Sequence, residues 1–307
     1  MTAKDGEGRL GAALGERIDP GARPRLEVRE IGSMTFLEAR LPGPFRTLFT
    51  TRVGGVSAGA FASLNLDLRS GDDPIVVARN RACVAGALRD GGAMTQGVAG
   101  HRLVSPAQAH GPRVVGTAEY VRDHEGSPCD GLTLHPLIDR GLAALLLFAD
   151  CVPVVLAGEV DMAVAHGGWR GILGGIVQQA GRAMIGPPGT AVIGPSIGPC
   201  CFEVGEEVAE AFATRFGSQV VIPPGTPGGR GAEPGPGGAG ARGLGAGSPR
   251  VDLWGATTRA LRDLGIKEDH IVNPRLCTAC NMDFFYSYRI EGPVTGRHGC
   301  VAWAVSP

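Results

Sequence analysis

Two stretches hold the residue types best suited to chemistry. Phe148-Ala149-Asp150-Cys151-Val152-Pro153 ends an apolar run from Leu142 on a thiol. Met162-Ala163-Val164-Ala165-His166-Gly167-Gly168-Trp169-Arg170-Gly171 ends a second run on an imidazole. A hydrophobic strand that presents Cys or His at its exit puts a reactive group at the edge of a rigid sheet, where sites are commonly built. Gln108-Ala109-His110-Gly111 supplies another imidazole in a short polar turn. One thiol and two imidazoles make three protein ligands, the count of a catalytic zinc site that keeps a fourth position open. Taken alone, Cys151 is more often a buried core cysteine than a ligand, and His110 alone decides nothing. Gly167 and Gly168 offer His166 no packing and let backbone approach a ligand closely. Asp150, beside Cys151, either orients a ligand or serves as general base, with a carboxylate that only supports a metal ligand as the alternative.

The elements that must position these residues follow from periodicity. Leu142–Phe148, Val152–Leu156, Met162–Ala165 and Ala191–Ile193 are apolar on both faces, which predicts central strands. Short runs from Met34 to Thr51, broken by Pro42-Gly43-Pro44, predict two strands and a turn. Asp73-Pro74 predicts a helix start, with Ile75, Val76, Ala78, Ala82, Val84 and Ala85 as its apolar stripe to about Leu88. Further helices are expected over Ile172–Met184, despite Gly174 and Gly175, over Glu203–Phe216 and over Leu253–Leu264. Residues 1–30 lack apolar periodicity and read as a flexible leader, leaving 31–307 as one domain. Within it, Pro223–Pro249 turns to Gly, Pro, Ala and Arg, the composition of a flexible insertion. There is no internal repeat. Alternating strands and helices with much local antiparallel structure argue for a layered domain.

Composition narrows the partners. At 43% hydrophobic residues the 307-residue chain has ample material for a core. With 29 basic and 30 acidic residues the net charge is −1, so no broad basic surface for nucleic acid or anionic lipid is expected. A small-molecule ligand fits better. Met1–Gly8 has no apolar signal core, and the longest apolar run, Leu142–Ala149, is too short to span a bilayer. The expectation is a cytoplasmic chain, monomer or homodimer, whose eight cysteines stay reduced. Cys277-x-x-Cys280 reads as half of a zinc ribbon or a redox motif without its partner half, and adjacent Cys200-Cys201 rarely bridge each other. Structural or pocket-lining roles are expected for all four.

Asp150-Cys151-Val152-Pro153, His166 to Gly171 and Ile197-Gly198-Pro199-Cys200-Cys201 together resemble the multicopper-oxidase-like laccase-domain family. Its bacterial members carry the labels polyphenol oxidase or peptidoglycan editing factor. Thr51-Arg52-Val53-Gly54-Gly55-Val56-Ser57, Ser63-Leu64-Asn65-Leu66, Cys277-Thr278-Ala279-Cys280 and Thr295-Gly296-Arg297 match the family in the same order, from about Phe45 to Trp303. The resemblance implies an α+β fold, a single-domain four-layer α/β/β/α sandwich of mixed sheets, with a shorter connection at 223–249. It assigns the metal-ligand role to His110, Cys151 and His166, with Ala109 where relatives often have Val and Gly167 where many have Ala.

What is known of the family implies a zinc-dependent purine nucleoside phosphorylase acting on adenosine, inosine and methylthioadenosine with phosphate, and some adenosine deaminase activity. Zinc suits the mixed nitrogen and sulfur set. A copper oxidase would want paired histidines, and the seven histidines here form no His-x-His pair. Cys151, Asp150 and Arg170 are the catalytic candidates. Arg52, Asn65 and Arg81 are candidate phosphate or ribose contacts, because the arginine fork matches phosphate oxygens, although a surface arginine is usually just solvated. Three other readings use the same residues. One is a cysteine hydrolase or peptidoglycan-precursor editing factor with Cys151 as nucleophile and His166 or His110 as base. Another is a copper polyphenol oxidase. The third is a non-enzymatic metal-binding partner protein.

Overall fold

The apolar run that ends just before Cys151 (Leu142–Phe148) and the run that delivers His166 (Met162–Gly167) are strands of two different sheets, and the strand that follows Cys151 lies beside the second run. The computed structural model describes residues 24–88, 101–226 and 247–305. In it β8 (Val152–Ala157) and β9 (Met162–Gly167) pair antiparallel, with Pro153 opposite His166. Every residue of both strands is buried, which explains the absence of polar alternation in their sequences. On the β9 side lie β6 (Gly131–Leu134), antiparallel to β9, and β5 (Val114–Gly116), parallel to β6. On the β8 side lie β10 (Thr190–Ile193) and then β13 (Ile271–Val272), parallel to β10. This six-stranded sheet runs β13-β10-β8-β9-β6-β5.

A second six-stranded sheet runs β1-β2-β3-β14-β7-β4. It comprises β1 (Arg25–Ile31), β2 (Met34–Arg40), β3 (Phe45–Thr50), β14 (His298–Ala304), β7 (Leu142–Phe148) and β4 (Arg102–Val104). Only the β4–β7 pairing is parallel, so both sheets are mixed. Leu37, Phe49, Leu146 and Phe148 of this sheet meet Val155, Val164 and Val192 of the other in one central core. Period-two alternation then sends Val154 and Leu156 to the opposite face, against helices α3 (Ile176–Ala183), α4 (Glu206–Phe216) and α5 (Leu253–Asp263). On the far side, Phe36, Leu48, Leu145 and Val301 pack against Val84 and Ala87 of α1 (Pro74–Ala87). The layers are therefore α/β/β/α, as the resemblance implied.

Several expectations need correction. Asp73 caps α1 by accepting the Ile75 N–H, with proline at the first position. Its buried face, however, is Val77, Asn80, Val84 and Ala87, while Ile75 is 72% exposed. The inner face carries a polar residue because Asn80 staples the preceding loop: Nδ2 donates to Ser57 Oγ and to the carbonyls of Ser63 and Asn65, and Oδ1 accepts from Val56 N–H. The helix expected over Ile172–Met184 is two, α2 (Trp169–Gly174) and α3, because Gly175 turns left-handed at φ 86°. α4 begins at Glu206, since Glu203 is held in a β-bridge to Arg250. Strand β1 begins inside the expected leader, where Leu26 is buried and seven residues pair with β2; residues 1–23 lie outside the described residues.

The Pro223–Pro249 segment is closed at its neck by β11 (Val221–Ile222) and β12 (Arg250–Val251), which pair antiparallel. Residues 227–246, on which the expected flexibility falls, lie outside the described residues. Among the described residues no helix is long and apolar enough to cross a membrane.

Candidate functional site

A buried carboxylate that the sequence did not single out organises the site. Asp130 immediately precedes β6, and its oxygens gather the turn before β5. Oδ1 accepts from His110 N–H at 2.8 Å, and Oδ2 from Ala109 N–H at 3.0 Å and Gly111 N–H at 2.9 Å. This wrapping holds His110 in a left-handed conformation at φ 59°. Oδ1 also lies 2.8 Å from His166 Nδ1, and the Asp130 carbonyl accepts the His166 N–H at 2.7 Å. One carboxylate thus anchors two of the three proposed ligands. Burial alone would raise its pKa; the hydrogen bonds from His166, Gly111 and Ala109 hold it below the usual carboxylate range.

His110, Cys151 and His166 present ligand atoms that lie within 4.8 Å of one another. With Nδ1 committed to Asp130, His166 has Nε2 free for a ligand, the arrangement by which metal-binding imidazoles are usually oriented. Burial raises the Cys151 thiol, but His166 and His110 outweigh it and bring its pKa down to about 6. Burial works against a charged His166, yet Cys151 and Asp130 raise it to about 9. Both shifts favour the Cys151 thiolate, the form in which cysteine ligates a metal, with the Asp130 carboxylate behind His166. Gly168 is required by contact: a Cβ there would lie 2.6 Å from His110 Cδ2 and 3.5 Å from Cys151 Sγ.

The set opens into a cavity of about 660 Å³ whose wall alternates arginines with aromatic rings. Arg170 lies 4.2 Å over the Trp169 ring, Arg289 lies 5.4 Å over Phe202, and Arg297 lies 5.8 Å over Tyr288. Arg69 also lines it, with Nη2 donating to the Pro106 carbonyl. Of these, only Arg170 was expected in the site. Arg297 was visible as part of Thr295-Gly296-Arg297, but nothing in that spacing gave it a partner. A larger groove of about 1060 Å³, lined by Pro24, Arg40, Glu159 and His270, lies elsewhere and includes none of the metal-capable clusters.

The remaining sequence candidates sit differently. Asp150, left-handed at φ 89°, accepts hydrogen bonds from Thr278 Oγ1 at 2.7 Å, Ser287 Oγ at 2.8 Å and Arg289 N–H at 2.7 Å. Its burial raises its pKa. With three donors this carboxylate ties together the loops around Cys151, and it also lines the cavity described above. Arg52 is consumed internally: Nε donates to Ala62 O, Nη1 to Met282 O and to Glu291 Oε1, and the guanidinium lies 4.3 Å over Tyr286. Asn65 is buried, with Nδ2 donating to Ser70 and Asp72 and Oδ1 accepting the N–H groups of Asp67 and Arg297. Arg81 donates to Leu66 O, and burial lowers its pKa to about 10 against the opposing pull of Asp67. None of these three lines the cavity; Asn65 bears on it only by holding the Asp67 and Arg297 backbones.

Cys200, Cys201, Cys277 and Cys280 were expected in structural or pocket-lining roles, with the partner half of Cys277-x-x-Cys280 missing. The structure brings their four sulfurs within 4.8 Å of one another. The missing partner half of Cys277-x-x-Cys280 is the Cys200-Cys201 pair, lying 79 and 80 residues from Cys280.

A family model described as multi-copper polyphenol oxidoreductase laccase matches residues 46–305. The chain therefore belongs to that laccase-like family. It is 32% identical over 264 residues to the purine nucleoside phosphorylase YlmD of Geobacillus stearothermophilus, covering 81% of this chain and 86% of the relative. It is 31% identical over 262 residues to a protein from an unknown prokaryotic organism named adenosine deaminase RL5, covering 81% of this chain and 90% of that one. Among solved structures, a Neisseria meningitidis protein superposes with a TM-score of 0.70 at 32% identity, covering 88% of this chain and 99% of that one.

Proposed function

We propose that the protein is a zinc-dependent purine nucleoside phosphorylase with adenosine deaminase side activity. The observation that carries the reading is a single cavity that joins a two-imidazole, one-thiol ligand set to a wall of arginines laid over aromatic rings. The names of the relatives point the same way.

The donor set fits zinc. His110, Cys151 and His166 leave room for a fourth ligand on the cavity side, and Asp130 orients His166. A copper oxidase would want paired histidines, and the only imidazoles among the described residues lining the cavity are His110 and His166, which disfavours the polyphenol oxidase alternative. Zinc held there would supply Lewis-acid polarisation of a substrate oxygen. Arg170, Arg289 and Arg297 would gather phosphate, and Trp169, Phe202 and Tyr288 offer faces on which a purine stacks. In phosphorolysis a phosphate oxygen bonds to the ribose C1′ as the C1′–N9 bond breaks; the electron pair leaves with the base, which takes up a proton. Deamination of adenosine uses water instead.

The test is incubation of metal-replete protein with adenosine and inosine, with and without phosphate, followed by separation of the bases. Phosphate-dependent base release is expected. No base release from any purine nucleoside would remove the phosphorylase reading. A second reading, a cysteine hydrolase, is favoured by the sequence thiol, imidazole, carboxylate formed by Cys151, His166 and Asp130. Chelation separates the two, since it should abolish phosphorolysis while leaving the Cys151 thiolate free to attack an acyl substrate.

A further inference from the structure

The four remaining clustered cysteines stand on two turns that are laced together by backbone. Cys200 and Cys201 follow β10, and Cys277 and Cys280 follow β13. Ser196 N–H donates to Leu276 O and Thr278 N–H donates to Ser196 O, both at 3.1 Å, forming a parallel bridge between Ser196 and Cys277. The lacing sets Cys280 Sγ 3.6 Å from Cys200 Sγ and 3.4 Å from Cys201 Sγ, with all four sulfurs inside 4.8 Å. All four are free thiols. Gly198 N–H donates to Cys277 Sγ at 3.2 Å, a contact suited to a thiolate.

We propose that Cys200, Cys201, Cys277 and Cys280 form a second metal site, taking one zinc ion in a closed four-sulfur shell. As thiols they offer one another only weak hydrogen bonds, a poor reason to converge four sulfurs on one point. As thiolates they repel unless a cation sits among them. Zinc bonded to sulfur at about 2.3 Å in a tetrahedron spaces the sulfurs by ~3.8 Å, within a few tenths of the 3.6 and 3.4 Å that separate Cys280 from Cys200 and Cys201. Iron–sulfur clusters spread four cysteines over two or four irons and so need the set as a whole wider apart.

The site shares no ligand with His110, Cys151 and His166, and its four sulfurs leave no position for substrate, which marks it as structural. Both turns reach Asp150, which precedes Cys151 in the chain: Ile197 N–H, three residues before Cys200, donates to its carbonyl at 2.9 Å. Thr278, inside the Cys277–Cys280 turn, donates to its carboxylate. A metal holding that turn fixes the seat of Asp150.

Elemental analysis of the full chain, purified with reductant and freed of loose metal, tests this. Wild type should hold two zinc ions per chain, one for each ligand group. His110→Ala and the double variant Cys201→Ser/Cys280→Ser should each hold one. Cobalt loading adds a readout independent of folding in the cysteine variant: the zinc-depleted His110→Ala chain should show the intense thiolate charge-transfer absorption of a four-sulfur site. One zinc in wild type, with the four thiols reacting freely in the folded chain, would overturn the proposal. So would a disulfide among them, iron in place of zinc, or two zinc ions retained by the cysteine double variant.

Discussion

Asp130→Asn should separate the two duties of the central carboxylate. Asp130 accepts three backbone N–H groups and the His166 ring at 2.8 to 3.0 Å. A carboxamide keeps one oxygen and turns two donors toward groups that themselves donate. If Nδ2 takes the Oδ2 position, it confronts Ala109 and Gly111. Losing two hydrogen bonds to a buried charge, at about 1.5–3 kcal/mol each, sets an upper range of ~3–6 kcal/mol. Relaxation of the turn will recover part of this, so a melting temperature lower by roughly 10 °C is expected, at about 2–4 °C per kcal/mol. Metal affinity of the His110, Cys151, His166 set should fall about 10- to 100-fold, the usual cost of removing the group that orients a ligand.

Chelator competition measures that affinity, and calorimetry the melting temperature. Asp139→Asn is the control. It is equally buried, accepts the Ala118 and His135 N–H groups at 2.6 and 2.7 Å, and touches no ligand. It should lower the melting temperature and leave metal binding alone. Unchanged metal affinity in Asp130→Asn, or an equal loss in Asp139→Asn, would refute the reasoning.

Three further outcomes are expected. Gly168→Ala puts a methyl 2.6 Å from His110 Cδ2, so metal content should drop while the melting temperature moves little; full metal occupancy would show that the His110 turn yields freely. Arg52→Ala should cost stability through its lost contacts to Glu291, Ala62 and Met282 and change phosphate and nucleoside KM alike, whereas Arg170→Ala should raise phosphate KM about ten- to a hundredfold; a phosphate-selective effect of Arg52→Ala would return that residue to the site. His298 is buried with neither ring nitrogen hydrogen-bonded; burial, with Arg297 and Arg52 nearby, lowers its pKa to about 3. The unfolded chain takes a proton near pH 6.5 that the native site refuses, so stability should fall by about 1.4 kcal/mol per pH unit from there toward pH 3. His298→Leu should flatten that slope in pH-dependent unfolding, and an unchanged slope would acquit His298.

The local half of the architecture was readable from sequence. Uninterrupted apolar runs marked β7, β8, β9 and β10, and Asp73-Pro74 marked the start of α1. Cys151 and His166, two of the three proposed ligands, stood out because apolar runs break at them. What stayed hidden depends on partners distant in the chain. Arg52 sits in a glycine-rich motif that suggests a phosphate contact, yet its ion-pair partner Glu291 is 239 residues away. Asp130 follows Ser-Pro-Cys in a stretch without periodicity, and its function is conferred by a turn about 20 residues earlier. Asn80 broke the expected stripe of α1 because a buried amide with four partners is as good a core residue as a leucine, which hydrophobic counting cannot register.

The neck formed by β11 and β12 makes the domain a host for foreign cargo. Two residue pairs close it, and Arg250 Nη2 reaches back to the Thr226 carbonyl, so the ends of anything spliced between Thr226 and Gly247 are clamped side by side. Lengthening such a splice costs only about 0.6 kcal/mol per doubling. The clamp is also wired to the cavity: Val251 N–H donates to the carbonyl of Phe202, whose ring is part of the wall beneath Arg289. A sensor module whose termini spread apart on capturing its analyte would pull on Phe202 through this strand, converting the enzyme into a gauge of that analyte.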